Sequence, residues 1–197
     1  MSAAAHPAVE YFVLDAATDG EGRRRTLLDA PAVTGIRSWL SGRVIQVLPA
    51  APIRLTWDPA TIDAAVSDYE PVGIPLMSDR LLEVIRAAGV EHLQRAPVEI
   101  HGEHAHAIDR SFAAVNIVGA PTCVRESRRG TRVRLGEIEP PVYWYEGFEV
   151  VVDRAMGMRL FRPAELRSAI VVDGVIRRAI ENAGLAVRCI PTSRWCG

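Results

Sequence analysis

Lysine is absent from this chain: all 23 basic residues are arginine. That excludes a Schiff-base lysine, a lysine general base and the lysine of a phosphate-binding loop. Net charge is also missing, since 23 basic residues against 24 acidic leave −1 and a pI near 6.5. A globally basic footprint for nucleic acid or for an anionic membrane surface is therefore excluded. No apolar run approaches membrane-spanning length, and Met1-Ser-Ala-Ala-Ala-His-Pro7 has neither a basic n-region nor an apolar h-region. The expectation is a cytoplasmic protein. Cysteine is scarce: Cys123, Cys189 and Cys196 are odd in number and lack metal-type spacing, which predicts reduced thiols. Aromatics are only 6%, so aliphatic side chains must build the core. With 197 residues the chain suits one domain, or one domain with an elaborated N-terminal part.

What the chain does have is one segment written twice. In Ile74-Pro-Leu-Met-Ser-Asp-Arg-Leu-Leu-Glu-Val-Ile-Arg-Ala-Ala-Gly89, Ser78 can cap a helix and Asp79 adds favourable charge to its first turn. Leu81, Leu82, Ile85 and Ala88 share one helical face, and Gly89 before Val90 supplies a left-handed stop. The pattern recurs over Ala169–Pro191. Aligning Ala88-Gly89 with Ala183-Gly184 sets Asp173 on Ser78, Ile176 on Leu81 and Ile180 on Ile85 without a gap. Helices over 78–88 and 174–183 are predicted, each between two strands. The fold class that follows is α+β: a mixed, mainly antiparallel sheet with two pseudo-repeated capped helices packed on it. Residues 1–71 read as an irregular, strand-rich N-terminal subdomain and 72–197 as the α+β core, together one continuous unit.

Further strands are expected at Tyr11–Leu14, Val44–Leu48, Ser111–Val118, Glu149–Asp153 and Met158–Arg162, with one helical turn at Asp63–Val66. Asn116 is the one polar residue in its apolar run, so a buried, hydrogen-bonded amide is predicted there. His101, His104, His106 and Asp109 crowd a short polar stretch around Gly102. On a strand, His104 and His106 would face the same way, a spacing able to grip zinc or iron. The stretch is similar to half of a cupin metal motif but lacks its glycine framing and its partner motif, so it is read as a polar hairpin tip at Gly102. No metal and no cofactor is expected. Cys123 has no histidine beyond His106 to activate it, which argues against a nucleophilic thiol.

Two segments suit an interface. Arg125, Arg128 and Arg129 open the densest basic stretch, and Tyr143-Trp144-Tyr145 is the densest aromatic one. Tyr, Trp and Arg dominate protein–protein hot spots. Strand alternation puts Tyr143 and Tyr145 on one face and Trp144 on the other, so an outward aromatic is expected. The arginines do not interleave with aromatics, which argues against a single-strand nucleic-acid platform.

The order Pro75-Leu-Met-Ser-Asp-Arg-Leu81, Ala88-Gly-Val90, Pro97-Val98, Val115-Asn-Ile-Val118, Ser127, Val150-Val-Val-Asp153, Leu160-Phe-Arg162, Ile170-Val-Val172, Ala183-Gly184 and Pro191 resembles immunity family eleven of bacterial polymorphic toxin systems. The resemblance covers residues 72–192 and touches the N-terminal third only through Tyr11-Phe-Val-Leu14 and Trp39. It implies a small cytoplasmic protein that binds a cognate toxin and blocks it without cofactor or catalysis. It carries no set of binding residues. Two other classes stay open: a scaffold, and a peptide-modifying enzyme or the partner subunit of one, with His101, His104, His106 and Asp109 as its metal ligands.

Overall fold

The structure, a computed structural model, describes residues 9–28, 39–102, 108–125, 132–135 and 142–197, with the backbone alone for 132–135 and 142–144. The chain begins with β1 (Tyr11–Ala16) and, after an irregular stretch, β2 (Ile53–Thr56). The first copy of the repeat follows as β3 (Tyr69–Val72), β4 (Ile74–Ser78), α1 (Asp79–Ala87), β5 (Leu93–His101), the short β6 (Ile108–Asp109) and β7 (Phe112–Ile117). Next come β8 (Val124–Arg125), β9 (Arg132–Leu135), β10 (Val142–Tyr145) and β11 (Glu149–Val150). The second copy closes the chain with β12 (Leu160–Phe161), β13 (Val171–Asp173), α2 (Gly174–Asn182) and β14 (Val187–Pro191). The α+β class and its mainly antiparallel pairing hold.

Both helices start and stop as their residues dictate. The Ser78 hydroxyl accepts from Leu81 N–H at 3.1 Å, and Asp173 Oδ1 accepts from the N–H groups of Val175 and Ile176, each at 2.9 Å. At the other ends Gly89 and Gly184 adopt φ of 88° and 60°, the left-handed region that an L side chain resists. Each stop then closes on the last turn, through Val90 N–H to Ile85 O and Leu185 N–H to Ile180 O, both 3.3 Å.

The sheet is not single, as the sequence suggested, but double. One sheet runs β2-β5-β7-β4-β3 with β6 beside β5, and the other β12-β13-β1-β14. The registers show that the repeat is larger than a strand, a helix and a strand. Ser78 pairs with Phe112 and Asp173 with Tyr11; Pro97 pairs with Ala113 and Pro191 with Phe12. Each copy is thus a strand pair, a helix, a third strand, and a fourth strand inserted between the third and the second. In the second copy that inserted strand is β1, supplied from the start of the chain. The sheet therefore crosses the expected boundary at residue 71. The other departures are local. Residues 44–48 form bends, pinned because Gln94 bonds both Ile45 N–H (2.7 Å) and Ile45 O (3.0 Å). Asn116 donates to Gln94 Oε1 and to Arg43 O, which is the buried-amide role expected of it. The turn expected at 63–66 is preceded by a 3-10 turn at Pro59–Thr61, and the strand at 149 ends early in a 3-10 turn at Val152–Ala155.

Alternation along the strands sorts the core into three layers. Phe12, Leu14, Met77, Val115 and Val172 point at the helices and meet Leu81, Leu82, Ile85, Ile176 and Ile180 between the sheets. Behind one sheet lie Trp39, Trp57, Leu76, Ile100 and Ala114. Behind the other lie Tyr11, Val13, Cys123, Tyr145, Phe148 and Phe161.

The copies are stapled to one another at equivalent points. Asp68 precedes β3 and Arg159 precedes β12. Asp68 accepts from its own copy's cap residue, Ser78, at 2.5 Å and from Ala186 N–H of the other copy at 2.7 Å. Arg159 lies 3.8 Å from its own cap residue, Asp173, and donates to Ala88 O of the other copy at 2.9 Å. Arg80 returns the contact by donating to Ala183 O at 3.4 Å. These bonds set the start of each helix beside the end of the other, which also suits the opposed helix dipoles.

Candidate interaction surface

The strands outside both large sheets form two short ribbons, together termed the arm. β8 pairs with β11, through Arg125 opposite Glu149, and β9 pairs with β10. Register sets Arg134 opposite Tyr143 and Arg132 opposite Tyr145, while Val133 faces Trp144 and Leu135 faces Val142 across the ribbon. Arginine–tyrosine pairs therefore alternate with purely apolar pairs. The C-terminal segment holds the base of the arm by main-chain bonds, Gly147 N–H to Trp195 O at 2.7 Å and Tyr145 N–H to Gly197 O at 2.8 Å.

This base corrects one expectation. Tyr145 is 4% exposed and packs in the core layer of Phe148 and Val150, so it is no surface residue. Alternation assigns a face, but the C-terminal segment decides whether that face is covered. Tyr143 and Trp144 sit further along the ribbon, and Arg125 is exposed on the arm with its guanidinium 3.4 Å from Glu149 Oε1. Arg128 and Arg129 lie outside the described residues.

Beside the arm is a cleft of about 770 Å³. Its floor is apolar, from Tyr11, Phe12, Phe148 and Val150, all buried. Its rim carries Glu10, Glu149, Arg177 and Arg194. Arg177 lies over the Phe12 ring, 4.6 Å from its centroid, and its Nε donates to Glu181 Oε1 at 2.7 Å. Glu149 joins cleft and arm, since it lines the one and pairs with Arg125 on the other. Sequence reading missed the cleft because it draws on β1, α2, β11 and the C-terminal segment. The signal that could have found it is the repeat, had it been carried through to its fourth strand.

Several titratable groups among the described residues are buried or bonded locally. The Cys123 thiol is fully buried, and burial, with Glu165 adding to it, pushes its pKa up to about 11. Cys189 is likewise pushed to about 11, first by burial and then by Glu181. His101 ends β5, with Nε2 buried and unbonded; His104 and His106 lie outside the described residues. Asp109 Oδ1 accepts from Ser111 N–H and its hydroxyl, an Asx turn that opens β7. Among the described residues no three His, Cys, Asp or Glu side chains gather as a metal set, and no helix is long and apolar enough to cross a membrane. One acid is unusual. Glu70 is 1% exposed, holds Arg24 at 3.3 Å, and takes the position that Phe161 fills in the other copy. Burial outweighs the pull of Arg24 and pushes its carboxyl up to about 7.

The fold and surface together define an α+β protein of two interlocked four-stranded copies, with an arm and a cleft on the second. No protein-family model and no curated protein matches the chain.

Proposed function

We propose that this chain is a cytoplasmic immunity protein, which binds a cognate bacterial polymorphic toxin and neutralises it through a protein–protein interface without catalysis. The observation that carries this reading is the arm. It stands outside both large sheets, and its register sets Arg134 opposite Tyr143 and Val133 opposite Trp144, residue types that anchor interfaces. Support also comes from the sequence resemblance, whose quoted residues include the caps, stops and strands of both copies. The buried Cys123 thiol, with its raised pKa, suits packing rather than attack.

The test is co-expression and calorimetry with the toxin encoded beside this chain. A stoichiometric complex and rescued growth are expected, and Trp144→Ala should weaken binding roughly thirtyfold, the cost of losing an interface aromatic, while circular dichroism stays unchanged. Substoichiometric chemical alteration of the toxin, dependent on Cys123 or His104, would replace this reading with an enzymatic one.

A further inference from the structure

Among the described residues β9 and β10 pair only with each other, and the ribbon they form is tied to the body at its base. There Tyr145 N–H donates to Gly197 O at 2.8 Å, and Tyr145 O accepts from Gly197 N–H at 3.2 Å. Glu146 forms a bridge with Cys196, and Gly147 N–H donates to Trp195 O at 2.7 Å. Phe148 N–H then donates to Thr192 O at 2.9 Å, and the Trp195 ring meets Phe148 edge-on at 6.0 Å. Residues 192–197 thus form a clasp along 145–148. Gly147 makes the fit possible: its φ is 75°, and a Cβ built there would lie 2.6 Å from Ser193 O, so any side chain at 147 pushes the clasp away. Below the clasp Tyr145 and Phe148, 4% and 1% exposed, are packed into the outer core layer of the second copy.

We infer that residues 192–197 are a positioning element of the toxin interface: the closed clasp fixes the direction in which the β9–β10 ribbon leaves the body, and that direction is the one the toxin engages. This rests on the immunity reading and adds how its site is held. A two-stranded ribbon is marginally stable by itself, so its direction has to be imposed from outside its own ladder. A site whose competent arrangement is populated for only a fraction of the time binds more weakly by that fraction. Clasp closure therefore adds affinity by sparing the partner the cost of ordering the ribbon, although no clasp residue has to touch the toxin. The coupling is reciprocal, so a toxin seated on the ribbon holds the clasp shut.

The experiment uses the full chain and the purified toxin encoded beside it, and combines amide hydrogen exchange with calorimetry. Gly147→Ala should leave the clasp open in most molecules. The N–H groups of Tyr145 and Phe148, whose acceptors lie in the clasp, then lose protection, and toxin binding weakens about tenfold. Leu14 N–H, bonded to Ile170 O in the sheet, should exchange as in the parent. Gly157→Ala is the control: Gly157 has φ of 71° with nothing within 4 Å of a Cβ, so it carries similar backbone strain away from the clasp and should change neither readout. In the parent, added toxin should slow exchange at Tyr145 and Phe148. If those two amides lose protection in Gly147→Ala while affinity stays parental, and Trp144→Ala binds weakly, the clasp inference falls and the immunity reading stands. If Gly157→Ala weakens binding as much as Gly147→Ala, backbone strain is the cause and the inference falls. If Gly147→Ala also exposes Leu14, Trp195→Ala decides in its place: affinity lost together with Tyr145 protection supports the clasp, and parental affinity without that protection overturns it. A parent chain that forms no complex overturns both readings.

Discussion

Removing the Asp68 carboxylate should loosen both copies at once. One oxygen accepts from the Ser78 hydroxyl at 2.5 Å, the other from Ala186 N–H at 2.7 Å, so Asp68→Ala leaves two donors without their charged acceptor. Hydrogen bonds to a charged group contribute about 1.5–3 kcal/mol each, and the lower value applies to this half-buried side chain. The expected loss is about 3 kcal/mol, equivalent to roughly 6–12 °C in Tm for a chain of this size. Urea unfolding followed by tryptophan fluorescence measures it. Ser78→Ala alone should cost about 1 kcal/mol as a lost cap. Because the two side chains share a bond, the double variant should cost less than the sum, with a coupling of about 1 kcal/mol. Arg159→Ala, at the matching point of the other copy, should cost only about 1 kcal/mol because that side chain is 47% exposed. Additive losses at Asp68 and Ser78, within about 0.5 kcal/mol, would refute the staple.

The Glu70 carboxyl has a folded pKa of about 7 against an ordinary 4.5, so its stabilisation is complete below about pH 4.5 and is lost as pH rises through 7. Glu70→Gln should remove about 3 kcal/mol of decline between pH 5 and 8; denaturant midpoints that keep the parental slope would contradict it. Iodoacetamide at pH 8 should label exposed Cys196 well before Cys123 and Cys189, whose thiols are held near pKa 11; mass spectrometry showing Cys123 first would place it in a reactive setting instead. Zinc titration should give no stoichiometric binding, and a bound equivalent lost on His104→Ala with His106→Ala would reopen the metal-dependent alternative.

The helix caps, the glycine stops and the existence of a repeat were all legible because each is a statement about neighbours in the chain. Ser78 and Asp173 reach N–H groups two or three residues on, and Gly89 and Gly184 act through their own φ. Asn116 was also legible, since a lone amide in an apolar run must find a partner, although nothing local named Gln94 and Arg43. The aromatic run 143–145 was half legible. Alternation separates Trp144 from its neighbours, but Tyr145 is buried by chain that follows it by some fifty residues.

The sequence by itself determined where helices begin and end, which strand positions turn inward, and which chemistries the chain lacks the residues for. Only the tertiary structure decided that β1 completes the second copy. Its pairing with Val171–Asp173 joins opposite ends of the chain, and period-two apolarity is the same whichever sheet a strand enters. It also decided which charges meet: Asp79 of α1 bonds Arg95 of β5, and Arg110 lies 2.9 Å from Glu99. In the second copy Gly174 and Cys189 stand where Asp79 and Arg95 stand in the first, so that ion pair has no counterpart there. Charge in a sequence has sign and position; whether it is spent on a neighbour or left for a partner is settled by distance, and distance belongs to the fold.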